Sequence, residues 1–219
     1  MTELRFARRG AASGRATSLV VFVHGYGADG ADLLGLADPL AAHLPGTVFV
    51  APDAPARCVG NPSGFQWFPI PRLDGSSEAA AAAGLAASSA LLNGFLDARL
   101  AEEGLPASSV ALVGFSQGAM ISLHIAPRRD RAIAGVVAIS GRLLEPSRLV
   151  ADTRVKPPIL LVHGDADPVV PFASMAEAGQ ALTAAGFDTF GHVMKGTGHG
   201  IAPDGLGVAL QFLKERLPG

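Results

Sequence analysis

The chain has 219 residues, the size of one domain at about 100 to 200 residues each, with no room for a second catalytic module. Hydrophobic residues make up 49% and charged residues 16%, against a usual charged share of about 25%, so the chain can bury a large core and is not disordered. With 17 Lys and Arg against 19 Asp and Glu the formal net charge is -2, so no basic surplus exists to neutralise phosphates and no nucleic acid partner is expected.

The N-terminal segment carries Arg8-Arg9 but no apolar run of about 7 to 15 residues before Arg15, which disfavours a secretory signal. Leu19 to Val23 reads as a strand buried on both faces and ends at His24-Gly25 in a glycine-rich loop. Asp32 is placed to cap a helix whose Leu33, Leu36, Leu40 and Leu44 recur at helical spacing until Pro45-Gly46. Thr47 to Val50 is a second strand. From Ala51 to about Gly75, prolines, glycines and the aromatics Phe65, Trp67 and Phe68 defeat both periodicities, so this is the longest irregular segment. Within it lies Cys58, the only cysteine, which excludes an internal disulfide and is read as a small passive hydrophobe.

Ser76 or Ser77 with Glu78 starts a helix that runs to Gly104 despite Gly84 and Gly94 inside it. Its apolar part, Ala79 to Leu92, is mostly Ala and Ser and falls short of about 18 uninterrupted apolar residues, so no stable membrane insertion is expected. Val110 to Val113 is a strand and Gln117 to Ala126 a helix, with only a tight junction between them. Ile133 to Ile139 and Ile159 to Val162 follow as strands, then a helix from Phe172 to Ala185 closed by Gly186, a strand from Phe187 to Met194, and a last helix after Pro203. Apolar strands alternating with helices predict a mostly parallel α/β sheet covered on both faces, in one domain over residues 1–219.

Gly114-Phe115-Ser116-Gln117-Gly118 fits the pattern G-x-S-x-G, in which a sharp strand-to-helix turn lifts a serine hydroxyl above the sheet. The pattern alone is weak, but its place between an apolar strand and a helix is the setting that makes Ser116 a nucleophile rather than a capping serine. A serine hydroxyl needs a base to take its proton and an acid to orient that base. Of six histidines, His43 and His124 fall in helical patterns and His192 in a strand. His24 and His163 each end a strand at the sheet's carboxyl edge. His199, in Gly198-His199-Gly200 after the last strand, is preferred over His163 because this fold uses the order Ser, acid, His. The acid then comes from His163-Gly164-Asp165-Ala166-Asp167-Pro168, where Asp167 is taken as catalytic and Asp165 as an Asx-type loop cap. No two histidines stand at the i, i+4 spacing of a zinc helix, so neither metal nor cofactor is expected.

These blocks, with His24-Gly25-Tyr26-Gly27-Ala28-Asp29-Gly30, resemble the phospholipase/carboxylesterase family of α/β hydrolases, which includes acyl-protein thioesterases, over nearly the whole chain. The resemblance implies an α/β-hydrolase fold without a separate lid domain, Ser116 as nucleophile, Asp167 as acid, His199 as base, and an oxyanion hole from the backbone N–H groups of Tyr26 and Gln117. A donor after the nucleophile and one from a glycine-rich loop are also what a tetrahedral intermediate needs. Gln66-Trp67-Phe68 resembles the family's aromatic segment near the acyl groove, although Pro69 follows where some members have an acid. Phe65, Trp67 and Phe68 are therefore expected to border substrate. The expected protein is a cytoplasmic serine hydrolase of small-molecule carboxylic esters, with thioesters or lysophospholipids as further substrates and a homodimer permitted. An amide hydrolase on the same triad, or a non-catalytic binding protein of this fold, are the alternatives.

Overall fold

The computed structural model describes residues 4–218. In chain order the elements are β1 (Phe6–Gly10), β2 (Ser18–Val23), α1 (Gly30–Leu34), α2 (Ala37–Ala41), β3 (Thr47–Pro52), β4 (Ala56–Arg57), β5 (Phe65–Gln66), α3 (Pro71–Asp74), α4 (Glu78–Glu103), β6 (Val110–Phe115), α5 (Gln117–Ile125), β7 (Gly135–Ile139), α6 (Leu149–Asp152), β8 (Ile159–Gly164), α7 (Ala173–Ala184), β9 (Thr189–Met194) and α8 (Pro203–Arg216). Seven strands form one sheet in the order β1-β3-β2-β6-β7-β8-β9. Six run parallel and β1 alone is antiparallel, against β3.

The continuous apolar strands are buried on both faces because each alternate side chain has its own helical layer. Leu19, Val21, Val110 and Leu112 pack with Leu92 and Leu96 of α4, Ile121 of α5 and Leu182 of α7. Val20, Phe22, Phe49 and Val113 pack on the other face with Leu40 of α2 and Phe212 and Leu213 of α8. Each such side chain contributes about 1.5–3 kcal/mol relative to exposure, so the two layers fix the sheet and leave its carboxyl edge free for loops.

Three readings change. The single helix expected from Asp32 is two short helices broken after Leu34. Its cap is Asp29, whose carboxylate accepts from Asp32 N–H while Asp32 accepts from Asp29 N–H, a reciprocal capping box. His43 falls beyond α2, in the turn leading to β3. The strand β1 was not anticipated, since its Arg8 and Arg9 break the apolar pattern. They are outward side chains that pair with Glu103 and Asp38, charges suited to an edge strand. The opposite edge, β9, exposes Phe190 instead.

The long helix α4 starts at Ser77, whose Oγ accepts from Ala80 N–H at 3.1 Å, and ends at Gly104 in the left-handed conformation. By length and composition alone it could cross a bilayer; Leu92, Phe95, Leu96 and Leu100 are packed into the sheet's core instead. Gly84 is explained by a close approach, since a Cβ there would strike Pro69. Segment 66–69 is thereby laid directly on the helix. Ser77→Ala should lower the unfolding free energy by about 1 kcal/mol, read as a shift of the urea midpoint at unchanged slope; no shift would mean the cap is idle.

Candidate active site

The site is built at the turn from β6 into α5. Ser116 sits there at φ 54°, ψ -117°, a region a non-glycine residue avoids. Its N–H donates to Ile139 O at 2.8 Å, tying the turn to β7. A Cβ at position 118 would run into the backbone of Val23 and His24, and one at 114 into the backbone of Gly118 and Ala119. Both glycines are therefore required for the turn to close against β2.

Ser116 Oγ lies 3.0 Å from His199 Nε2, and His199 Nδ1 lies 2.8 Å from Asp167 Oδ2. The other oxygen, Asp167 Oδ1, accepts from Val169 N–H at 2.8 Å and Val170 N–H at 3.0 Å. Burial pushes the Asp167 carboxyl up, but the His199 bond and the two backbone donors outweigh it and hold the group below the ordinary carboxylate range. Asp165 turns away and accepts from Gly196 N–H at 2.6 Å, while Ala166 N–H donates to Thr197 O at 3.1 Å. The glycine-flanked loop bearing His199 is thus stitched to the acid loop, and the His199 ring packs against Phe115.

The second wall is the loop after β2. A Cβ on Gly25 would stand 3.3 Å from Ser116 Cβ, so this loop abuts the serine. Among the described residues neither Tyr26 N–H nor Gln117 N–H donates to a protein acceptor. The Tyr26 hydroxyl, half-enclosed beside the buried Cys58 thiol, is pushed up to about 12 by burial first and then by the thiol. Cys58 also packs on Gly27, which gives it a place under the loop.

Three buried polar side chains hold these pieces together, and sequence reasoning missed their roles. His24 Nδ1–H donates to Gly25 O at 2.7 Å and its Nε2 accepts from Ala54 N–H at 3.0 Å, which fixes a neutral tautomer. Gln117 Oε1 accepts from Trp67 N–H and its Nε2 donates to Phe68 O, both at 2.8 Å. Ser88 Oγ of α4 donates to Trp67 O. The Trp67 indole N–H donates to His24 O at 2.9 Å and its ring lies 5.4 Å from the imidazole. The available signal was Gln117 itself, a polar residue inside an otherwise apolar helix start, which must find partners when buried.

The three aromatics named as substrate contacts are dispersed. Trp67 is 1% exposed and spends its polar groups on His24 and Gln117. Phe65 lies under the Arg57 guanidinium and lines a different cleft, beside Arg5 and Asp29. Phe68 lines a groove of about 280 Å³ with Pro69, Ile70, Leu85, Leu143 and Leu144. That groove leads off Gly141, whose backbone lies against Ser116 O. Larger clefts occur between α7 and β9 and at the far end of α4, away from these side chains. The small groove reaches the serine's surroundings through Arg142, next in the chain to Gly141.

The profile of the phospholipase/carboxylesterase family matches residues 10–217. The chain belongs to the phospholipase/carboxylesterase family. It is 30% identical to acyl-protein thioesterase 1 of Neurospora crassa over 219 residues, covering 93% of this chain and 89% of that one. Esterase YpfH of Escherichia coli is 27% identical over 206 residues, with 93% and 84% covered. The crystal structure of esterase PE8 superposes with a TM-score of 0.92 at 42% identity, covering 99% of this chain and 100% of that chain. The sheet and helices are accordingly an α/β-hydrolase fold, and the coarse activity is that of a serine hydrolase acting on ester or thioester bonds.

Burial holds the His24 imidazole below its ordinary value of 6.5, against the opposing pull of its bond to Gly25. The unfolded chain therefore takes up this proton before the folded one, so stability is intact above about pH 6.5 and declines as pH falls below it. Comparing unfolding free energies at about pH 7.5 and 5.5 should show a smaller difference in His24→Gln than in the native chain. An equal difference would mean His24 is not buried neutral.

Proposed function

We propose that the protein is a carboxylesterase that works through an acyl-enzyme on Ser116, with His199 as general base and acid and Asp167 as the orienting carboxylate. The observation that carries this reading is the unbroken chain Asp167 Oδ2, His199, Ser116 Oγ at 2.8 and 3.0 Å. In acylation His199 Nε2 takes the hydroxyl proton as Oγ attacks the ester carbonyl. The oxyanion then meets the free N–H groups of Tyr26 and Gln117, donors already in place and worth several kcal/mol in such settings. The imidazolium gives its proton to the departing alkoxide. Water repeats the sequence on the acyl-enzyme, with His199 again taking and returning one proton, and the carboxylic acid leaves.

The reaction needs no metal and no cofactor, and its partner is a small ester. The names of relatives support thioesters as a second class, in which the departing thiolate asks less of His199 as an acid. The reading places the protein in the cytoplasm and is compatible with a homodimer.

The acyl chain is assigned to the groove past Gly141. Only ribbon β4–β5 and helix α3 form regular structure in segment 53–77, far less than a lid domain. A groove of about 280 Å³ shelters a few methylenes, each contributing about 0.8 kcal/mol, before the chain meets water. Specificity should favour short to medium acyl chains.

Ser116→Ala should lose kcat by about 10⁴-fold or more while retaining the fold, and a fluorophosphonate should label the native protein at Ser116 alone. Mass spectrometry placing the adduct on another serine would sink the assignment. Across p-nitrophenyl esters, kcat/KM should rise over the first carbons, then level off or fall, with no jump at the micellar threshold; a steady rise to the longest chains with interfacial activation would show a closing element absent from this reading.

A further inference from the structure

Three histidines end near the sheet's carboxyl edge, and the reaction scheme uses only His199. His24 is committed to Gly25 and Ala54. The third, His163, is the penultimate residue of β8 and is 1% exposed. Its Nε2 lies 3.0 Å from Val170 O and 3.3 Å from Asp167 Oδ2. A carbonyl can only accept, so Nε2 carries the hydrogen and donates it to Val170 O, with Asp167 Oδ2 in close contact beside the same N–H. Phe172 closes the ring in edge-on, 6.1 Å between centroids.

We infer that His163 is a positioning residue for the catalytic acid, holding Asp167 Oδ2 in the direction from which it receives His199 Nδ1–H. The inference rests on the triad reading above. Asp167 Oδ1 is fixed by Val169 and Val170 N–H, and the side chain is wholly buried. Two bonds to one oxygen leave the carboxylate free to pivot about that oxygen, and a pivot swings Oδ2 past the His199 ring. The buried His163 ring, 3.3 Å from Oδ2, stands in the way of that swing. Through Val170 O the same N–H also anchors the residue that supplies one of the Oδ1 donors. A histidine serving the core alone would need only the Val170 carbonyl. The other charged groups at this loop are engaged elsewhere, Asp165 with Gly196 N–H and Arg72, reaching over from α3, with Val169 O.

The test compares His163→Leu, which removes the donor, with His163→Gln, whose side-chain N–H₂ reaches the position of Nε2 without titrating. Active enzyme is counted by fluorophosphonate titration, so that lost folding and lost turnover are separated. Per titrated site, His163→Leu should lose between about 10- and 100-fold in kcat with KM little changed, the scale of a misplaced catalytic group. Its acid limb should move to higher pH, because an Oδ2 relieved of the neighbouring N–H dipole presents a stronger negative field to His199 and favours the imidazolium. His163→Gln should restore most of kcat and the native limb. Native kcat and an unmoved acid limb in His163→Leu would overturn the inference while leaving the triad standing, whereas failure of the native protein to react with the phosphonate would strike the triad reading itself. If His163→Leu does not fold, the native protein answers alone. Phosphonylation of Ser116 should move the downfield proton resonance of His163 Nε2–H, identified by its loss in His163→Gln, since Oγ then has no proton to give His199 and the chain of bonds through Asp167 readjusts. A resonance that stays put would equally overturn it.

Discussion

Ser116 is held at φ 54° and ψ -117°, a backbone state that costs a non-glycine residue about 1–3 kcal/mol and survives only where its surroundings over-determine it. Those surroundings are the parallel strands on either side. Ser116 N–H is tied to β7, the backbone of Gly118 lies against the end of β2, and α5 is packed into the core by Ala119, Ile121 and Leu123. Undoing the strain would break strand contacts on two sides and unpack a helix. The rest of the site takes its coordinates from this turn, because the loop after β2, the segment at 66–68 and the backbone of Gly141 all touch it.

What converts contact into fixed position is a set of dry polar bonds. Gln117 ties the elbow to the backbone of Trp67 and Phe68, Trp67 reaches His24, and Ser88 brings α4 to the Trp67 carbonyl. Each buried group left without its partner costs about 1–3 kcal/mol, so a shift of one member is resisted by the others. Trp67 is best understood within this set: an indole with every polar atom engaged behaves as a beam between loops. The loop after β2 inherits that stiffness through His24.

Legibility in the sequence followed burial. Strands covered on both faces read as continuous apolar runs, and β2, β6, β7 and β8 lie where those runs stand. Strand β1 meets the core along one side only, and Arg8 and Arg9 masked it. Helices α1 and α2 shared an apolar stripe that continued across their break, so periodicity alone joined them. At the site, Ser116, Asp167 and His199 stood in short local patterns, each at a strand end, and could be named one by one. The bonds of Gln117, His24 and His163 run between segments far apart in sequence, and no local pattern encodes them. The aromatics were the weakest guide, because a large ring between glycines and prolines serves equally as substrate wall or as loop support, and Phe65, Trp67 and Phe68 went three different ways.

Asp167 accepts from two backbone amides on one oxygen and faces two imidazoles with the other. Three hydrogen bonds and a close second imidazole favour the charged carboxylate, so this one has little use for a proton. Under the proposed reaction the proton taken from Ser116 therefore travels one step and stops. His199 becomes a cation that must coexist with an undiminished anion in a water-poor pocket for as long as the tetrahedral species lasts. The chemistry is then one of separated charge held between prearranged dipoles, in which the acid contributes a permanent field rather than a place to put hydrogen.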